Sequence, residues 1–420
     1  FRSHMSVANV AVKWADRRIP QGGGYLGDGE LAALTPAALC ERVRALQPLI
    51  AEHAAEAERL RRPHDAVWAA LRECGFFYQF VPKEFGGMES DFDTFIDVGM
   101  AIAEVDASTA WTATFCAEHN WIFTHFPVET QRELWAGEFP YIIAPVVSVP
   151  PGKAVEVEGG YRVSAHWKWG TGVMHADWVM GNALLMREGH PPEMMIVAIP
   201  ADQVEVLDTW NACGMAGTGS NDIVVKDVFV PRRFAALGVA RGGSAPAQRH
   251  HANPIYGVPM LPFLAMSAAI PAAGAARGMV NLFRERMAAF ARPGAESAMA
   301  EKAPPQIRLA RADMLARSAE ILIREAGRRL LDVPALAEPQ RTNERLALRA
   351  QIAQAVILCR DAAMTLVEGA GTSILLLDQP FQRAMRDILV VSSHIVFDID
   401  IAMEQHGRGL LGLAPNTPLN

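Results

Sequence analysis

The apolar residues of this chain change their spacing twice, and that change restricts the possible folds more than any single motif does. From about residue 35 to 139 the sequence is alanine-rich and reads as helix. From about 141 to 234 it breaks into short alternating or β-branched runs, "AVEVEGGYRVSAHWKWG", "DWVMGNALLM", "EMMIVAIP" and "DIVVKDVFVP", bounded by Gly, Pro and Asp. From Pro259 onward helical spacing returns. A strand-rich block between two helical ones predicts an α+β chain. The expected parts are an N-terminal helical domain at 35–140, a central β-barrel domain at 141–235, a loop at 236–258 and a C-terminal four-helix bundle at 259–420. Residues 1–34 read as an N-terminal extension, and Phe1 to His4 ahead of Met5 look like a cloning remnant.

Local signals sharpen these blocks. Thr35 followed by Pro36 is a helix start, because the hydroxyl can accept from a free N–H and proline has none to lose. Pro82 and the pair Gly86-Gly87 predict turns ahead of a long helix from about Thr94 into the 120s, and Gly159-Gly160 predicts a hairpin. In the bundle, helices are expected at 260–291, 305–331, 343–367 and 380–406. On the last of these Val391, Ile395, Ile399 and Met403 recur every four residues. His394 stands beside that apolar face, where a charged ring would be costly to desolvate.

Composition removes several function classes. The net charge of −7, from 39 basic and 46 acidic residues, argues against a nucleic-acid binder. No uncharged apolar run of the length of a membrane span is read, and no secretory signal follows Met5. Five scattered cysteines, Cys40, Cys74, Cys116, Cys213 and Cys359, with no C-x-x-C, predict neither a disulfide framework nor a structural zinc, and fit a cytoplasmic protein. "GMAGTGSND" lacks the third glycine of a dinucleotide fingerprint and precedes a strand, not a helix. P-loop, H-E-x-x-H and G-x-S-x-G motifs are missing. His250-His251 read as solvated loop residues, so no metal is expected.

What remains is a family resemblance. "GFFYQFVPKEFGGMESDFDTF…AEVDASTAW", "HWKWGTG", "GTGSNDIVVKDVFVP" and "QPFQRAMRD" resemble, in order, four motifs of the acyl-CoA dehydrogenase superfamily, spanning about residues 35 to 413. "GGYRVSAHWKWGTGVMHADWV" and "RDILVVSSHIVFDIDIA…GRGLLGL" are similar to its reduced-flavin-dependent monooxygenase branch. That branch includes the oxygenase components of p-hydroxyphenylacetate and 3-hydroxy-seco-steroid hydroxylases, and dibenzothiophene monooxygenase. The Glu-Gly that many acyl-CoA dehydrogenases carry beyond the Arg-Asp motif is replaced here by Ser392, Ser393 and His394.

The resemblance implies an oxygenase component that takes reduced FMN or FAD, FMN being preferred, from a separate NAD(P)H:flavin reductase. It would use O2 through a C4a-hydroperoxyflavin to hydroxylate a small aromatic, phenolic substrate, as a homotetramer. Alternatives are an N- or S-oxygenase of the same branch, an acyl-CoA dehydrogenase, or a flavin-free binding protein. The implied catalytic residues are His394, which would accept a proton from the substrate hydroxyl or hydrogen-bond it, His119 and Thr171. The implied cofactor contacts are Trp169 packing on the flavin ring, Thr171 (where the hydroxylases commonly have serine), Ser148 in a turn, and Arg386 on a phosphate. An Arg386-Asp387 ion pair and a structural histidine are the plainer readings. Phe80, Trp121 and Phe263 fit a water-excluding pocket and a core equally well.

Overall fold

The computed structural model describes residues 25–135, 140–238, 250–289 and 299–417. Among them the N-terminal part holds α1 (Asp28–Ala33), α2 (Pro36–Ala45), α3 (Gln47–Leu60), α4 (Asp65–Glu73), α5 (Phe92–Ala103), α6 (Ala107–Phe123) and α7 (Val128–Trp135). Thr35 caps α2 as expected, accepting from Ala38 N at 3.2 Å. Asp91 and Asp106 do the same for α5 and α6, accepting from Thr94 N and Thr109 N. α6 is buried on nearly every side, the condition of a helix with no polar face. It packs between α5 and the first bundle helix.

The central domain is one seven-stranded sheet in the order β5-β6-β2-β1-β3-β4-β7. Its strands are β1 (Val146–Val157), β2 (Gly160–Gly170), β3 (Trp178–Met186), β4 (Glu193–Pro200), β5 (Glu205–Leu207), β6 (Asn221–Pro231) and β7 (Ala235–Leu237). The hairpin expected at Gly159-Gly160 joins β1 to β2 antiparallel, with Val157 opposite Gly160. β7 takes the first residues of the expected loop, and Pro254–Gly257 form a 3-10 turn at its end. Gly242, Gly243 and Arg249 of that loop lie outside the described residues. His251 is not solvated: it is buried, with Nδ1 3.0 Å from Glu84 Oε1 and Nε2 2.7 Å from Gln131 Oε1.

The C-terminal part holds α8 (Met260–Ala289), α9 (Ala303–Leu330), α10 (Gln340–Ala370), α11 (Pro380–Ser392) and α12 (Ile399–Leu410). α8 is the central helix, packed on α5, α6, α9, α10 and α11. By length and composition α8 and α10 are apolar enough to cross a membrane, but the apolar window of α8 is 89% buried inside the protein. Gly278 sets the closeness of α8 to the end of α5, since a Cβ there would stand 2.1 Å from Glu104 O. The single helix expected at 380–406 is in fact two, joined by a 3-10 turn at Ile395–Phe397. Its sequence explains the break. Ser392 and Ser393 bond back to Leu389 O, while His394 and Asp398 cap the next free N–H groups, of Val396 and Ile401. Val391 is buried and Ile395 is 57% exposed, so the four-residue spacing does not mark one face.

Candidate active site

The site begins at the end of β2. Trp167 pairs with Ile223 and Gly170 with Asn221 on β6, so Lys168 and Trp169 together oppose one residue and form a bulge. A bulge re-aims the side chain it carries. Trp169 here has φ 65°, a left-handed conformation that costs a bulky residue about 1–2 kcal/mol, and its indole is left 56% exposed. Gly170 leaves room for the Ile223 side chain, since a Cβ would stand 2.5 Å from Ile223 Cδ1 and force it to move. The next residue turns inward. Thr171 is buried, its Oγ 2.8 Å from Ser220 Oγ and 3.3 Å from the donating Trp111 Nε1.

Trp111 opens a stripe along α6. Trp111, Phe115 and His119 follow one another at four-residue steps, which places them on one face. Trp111 stacks on Phe115 at 4.5 Å, and Phe115 meets His119 edge-on at 5.6 Å. His394 also meets Trp111 edge-on, at 5.6 Å. The structure therefore brings three expected residues, Thr171, His119 and His394, onto one aromatic wall. Trp111 and Phe115 were not expected, although counting back from His119 in fours finds both. Phe80, Trp121 and Phe263 are fully buried as core, Phe80 and Trp121 each packing on Phe263 with ring centroids 5.3 and 5.2 Å apart.

The two histidines differ in which nitrogen holds the proton. His394 Nδ1 accepts from Val396 N at 3.2 Å, so the neutral ring carries its proton on Nε2 and offers a donor. His119 Nδ1 lies 2.6 Å from Ala144 O. A carbonyl only accepts, so that nitrogen holds the proton and Nε2 offers a lone pair. Desolvation lowers both pKa values to about 4. His119 is buried outright, whereas His394 is an exposed residue, although protein atoms crowd its ring closely enough to desolvate it in part. Water at that residue softens the effect, and the direction, a neutral ring at pH 7, is what the chemistry uses. The proton-accepting role expected of His394 does not fit its tautomer; the hydrogen-bonding role does. Beside His119, Glu118 is fully buried with its Oε1 3.7 Å from His119 Nε2. Burial raises its pKa well above the ordinary range. Ser267 is close enough to favour the charged form slightly, but the two make no hydrogen bond of good geometry.

The remaining expected contacts stand apart from this wall. Ser148 is exposed on β1, not in a turn. Arg386 pairs with Glu58 of α3 at 2.6 Å and also donates to Cys213 O and Gln382 Oε1. Its neighbour Asp387 accepts from Met215 N at 2.5 Å, so the two form no pair with each other but clamp the β5–β6 connection onto the bundle. That geometry favours a structural tie over a phosphate contact. A recess of about 300 Å³ lined by Glu133, Trp178, Gln203, Phe229 and Phe234 lies elsewhere on the β-domain and shares no residue with the wall. His53, Glu56 and His64 come within metal-ligand reach of one another. However, His64 Nδ1 accepts from Ala66 N, which leaves the proton on Nε2, the nitrogen that faces Glu56.

The family models for the acyl-CoA dehydrogenase N-terminal and C-terminal domains match residues 38–138 and 266–399. A pigment production hydroxylase of Rhodococcus sp. (strain ATCC 21145) is 35% identical over 92% of this chain and 99% of its own length. The oxygenase component of an FADH2-dependent resorcinol hydroxylase from Rhizobium sp. (strain MTP-10005) is 31% identical over 90% and 95%. The chain is a monooxygenase of the acyl-CoA dehydrogenase superfamily. Among solved structures, the monooxygenase matches XiaF from Streptomyces sp., in complex with FADH2 and glycerol, with a TM-score of 0.85 at 27% identity over 93% of this chain and 98% of that one.

Proposed function

We propose that this monooxygenase is the oxygenase component of a two-component system, working in the cytoplasm beside a separate NAD(P)H:flavin reductase. It uses reduced flavin and O2 to hydroxylate a phenolic ring. The observation that carries this is the aromatic wall with a hydrogen-bond donor, His394 Nε2, at one end and an acceptor, His119 Nε2, at the other. From Trp111 to His119 the wall runs about 12 Å along the helix, too far for both histidines to hold one hydroxyl, so each has its own task. The exposed indole of Trp169, held out by a strained bulge beside the Thr171 hydroxyl, fits a flat heteroaromatic cofactor. Strain of that kind persists where function requires it.

Reduced flavin, when bound, would supply the electrons that O2 must gain before it can attack an aromatic carbon. Trp169 would stack on the ring, Thr171 would hydrogen-bond it, and His394 would donate to an oxygen atom at that end. His119 would accept the hydrogen bond of the phenol O–H and so raise the electron density of the ring to be attacked. The Trp111 and Phe115 faces would hold the substrate and keep water out. FADH2 is favoured over the FMN expected from the sequence, because the resorcinol hydroxylase and the XiaF complex carry it by name. Ile307, Met314 and Ile321, exposed at seven-residue spacing on α9, supply a stripe that association of bundles into a homotetramer would cover.

The test is single turnover: anaerobic protein with reduced FAD, mixed with oxygenated buffer and simple phenols. Hydroxylated product is expected at more than half the flavin consumed. A protein that instead holds oxidised FAD tightly, and is bleached by an acyl-CoA, would make this an acyl-CoA dehydrogenase. Against that outcome, Asp398, the first acid after Arg386-Asp387, is committed to capping α12.

A further inference from the structure

Thr171 lies at the head of a run of hydroxyl groups whose protons can be counted. Trp111 Nε1 donates to Thr171 Oγ at 3.3 Å, Thr171 Oγ is 2.8 Å from Ser220 Oγ, and Ser220 Oγ is 2.8 Å from Thr218 Oγ. Thr218 Oγ is 2.9 Å from Met215 O. All three hydroxyl residues are buried. A carbonyl has no proton, and two oxygens at 2.9 Å without a proton between them repel, so Thr218 gives its one proton to Met215 O. Ser220 must then give its proton to Thr218, and Thr171 must give its proton to Ser220. With the indole N–H already on one lone pair, Thr171 keeps one lone pair and no proton for any further partner. The anchor is firm. Met215 O also accepts from Trp210 Nε1, and Met215 N is held by Asp387.

We infer that Ser220 and Thr218 are positioning residues that fix Thr171 as a hydrogen-bond acceptor, and that the site thereby selects the reduced form of the flavin. The inference rests on the reading that Thr171 faces the flavin ring. Reduced flavin presents an N–H at N5, which an acceptor welcomes; oxidised flavin presents a bare nitrogen lone pair there, which an acceptor repels. An ordinary threonine hydroxyl rotates and serves both states. Here the relay removes that freedom, so the enzyme binds the form its reductase delivers and releases the spent one.

The experiment measures dissociation constants for oxidised FAD and, anaerobically, for dithionite-reduced FAD. The proteins are the wild type, Thr218→Val, Thr218→Ser and Ser220→Ala, each checked for native circular dichroism. The wild type is expected to favour the reduced form by tenfold or more, on the order of one hydrogen bond gained against one repulsion. Thr218→Val keeps the shape but removes the proton sink, letting Ser220 donate to Thr171 and freeing the Thr171 proton. The preference is then expected to fall about tenfold. Ser220→Ala frees the same proton directly and gives the same fall, and Thr218→Ser keeps the relay and the wild-type ratio. Loosened packing would weaken both forms alike and leave the ratio in place. An unchanged ratio in both Thr218→Val and Ser220→Ala overturns the relay, while wild-type protein that binds neither form overturns the flavin reading beneath it.

Discussion

His394 and His119 have the same side chain and are both neutral at pH 7, yet one backbone neighbour each gives them opposite uses. Val396 N–H takes the Nδ1 lone pair of His394, and Ala144 C=O takes the Nδ1 proton of His119. A substitution can separate donation from basicity at His394. Glutamine carries an N–H donor near the Nε2 position and is no base, whereas alanine offers neither. Coupling, measured as hydroxylated product against hydrogen peroxide per reduced flavin, should fall about tenfold in His394→Ala, the value of one charge-free hydrogen bond. In His394→Gln it should stay within about threefold of wild type. Equal losses in the two variants would return His394 to the role of base. Because desolvation lowers the His394 pKa below the ordinary histidine value, any histidine titration of the same ratio should fall on the acid side of pH 6.5.

At the scale of elements, β2 shows how a strand can trade stability for a presented side chain. Trp169→Gly removes a left-handed tryptophan, worth about 1–2 kcal/mol. It loses roughly 0.5–1 kcal/mol to the greater freedom of the unfolded chain and a little half-buried surface. Stability in urea should therefore change by less than about 1 kcal/mol, while affinity for reduced FAD should drop about tenfold through the lost stacking. A large loss of stability would mean that the indole packs for the fold and not for a ligand. The strand itself was legible in "GGYRVSAHWKWG", as was the Trp-Gly-Thr segment. The bulge was not, because it depends on the register with β6, some fifty residues away. The break before α12 is legible in Ser392, Ser393, His394 and Asp398, all cap-forming types, although the four-residue apolar spacing across them is that of one continuous helix. The task of Arg386 could not be read at all, since its partner Glu58 precedes it by 328 residues. Sequence spacing thus reported what lies along one element and was silent where two elements set each other's geometry.

Across the whole molecule, two buried acids sit where separate parts meet. Glu118 on α6 faces the neighbourhood of Ser267 on α8, between the N-terminal helices and the bundle. Asp387 on α11 holds Met215 of the β-domain and lies 3.5 Å from Ser108 of α6, so three parts converge on it. Desolvation pushes Glu118 well above the usual carboxylate range; desolvation first, and the Asp106 carboxylate second, push Asp387 up to about 7. An acid whose pKa is raised on folding stabilises fully below its unfolded value, near 4, and that stability is lost as pH rises through the folded value. Between about pH 4.5 and 7 the folded protein holds these protons and the unfolded chain does not, so stability declines with pH by up to about 1.4 kcal/mol per unit for each group. Urea midpoints measured at pH 5.5, 6.5 and 7.5 should fall for the wild type. The fall should be shallower in Asp387→Asn, which keeps an acceptor for Met215 N without the charge, and shallower again in Asp387→Asn combined with Glu118→Gln. If the double variant declines as steeply as the wild type, these acids are ionised in the folded protein and the junctions hold charge after all. If it does not, the contacts among the three parts are drawn tightest on the acid side of neutrality, and the β5–β6 connection that carries Thr218 and Ser220 loosens with them as pH rises.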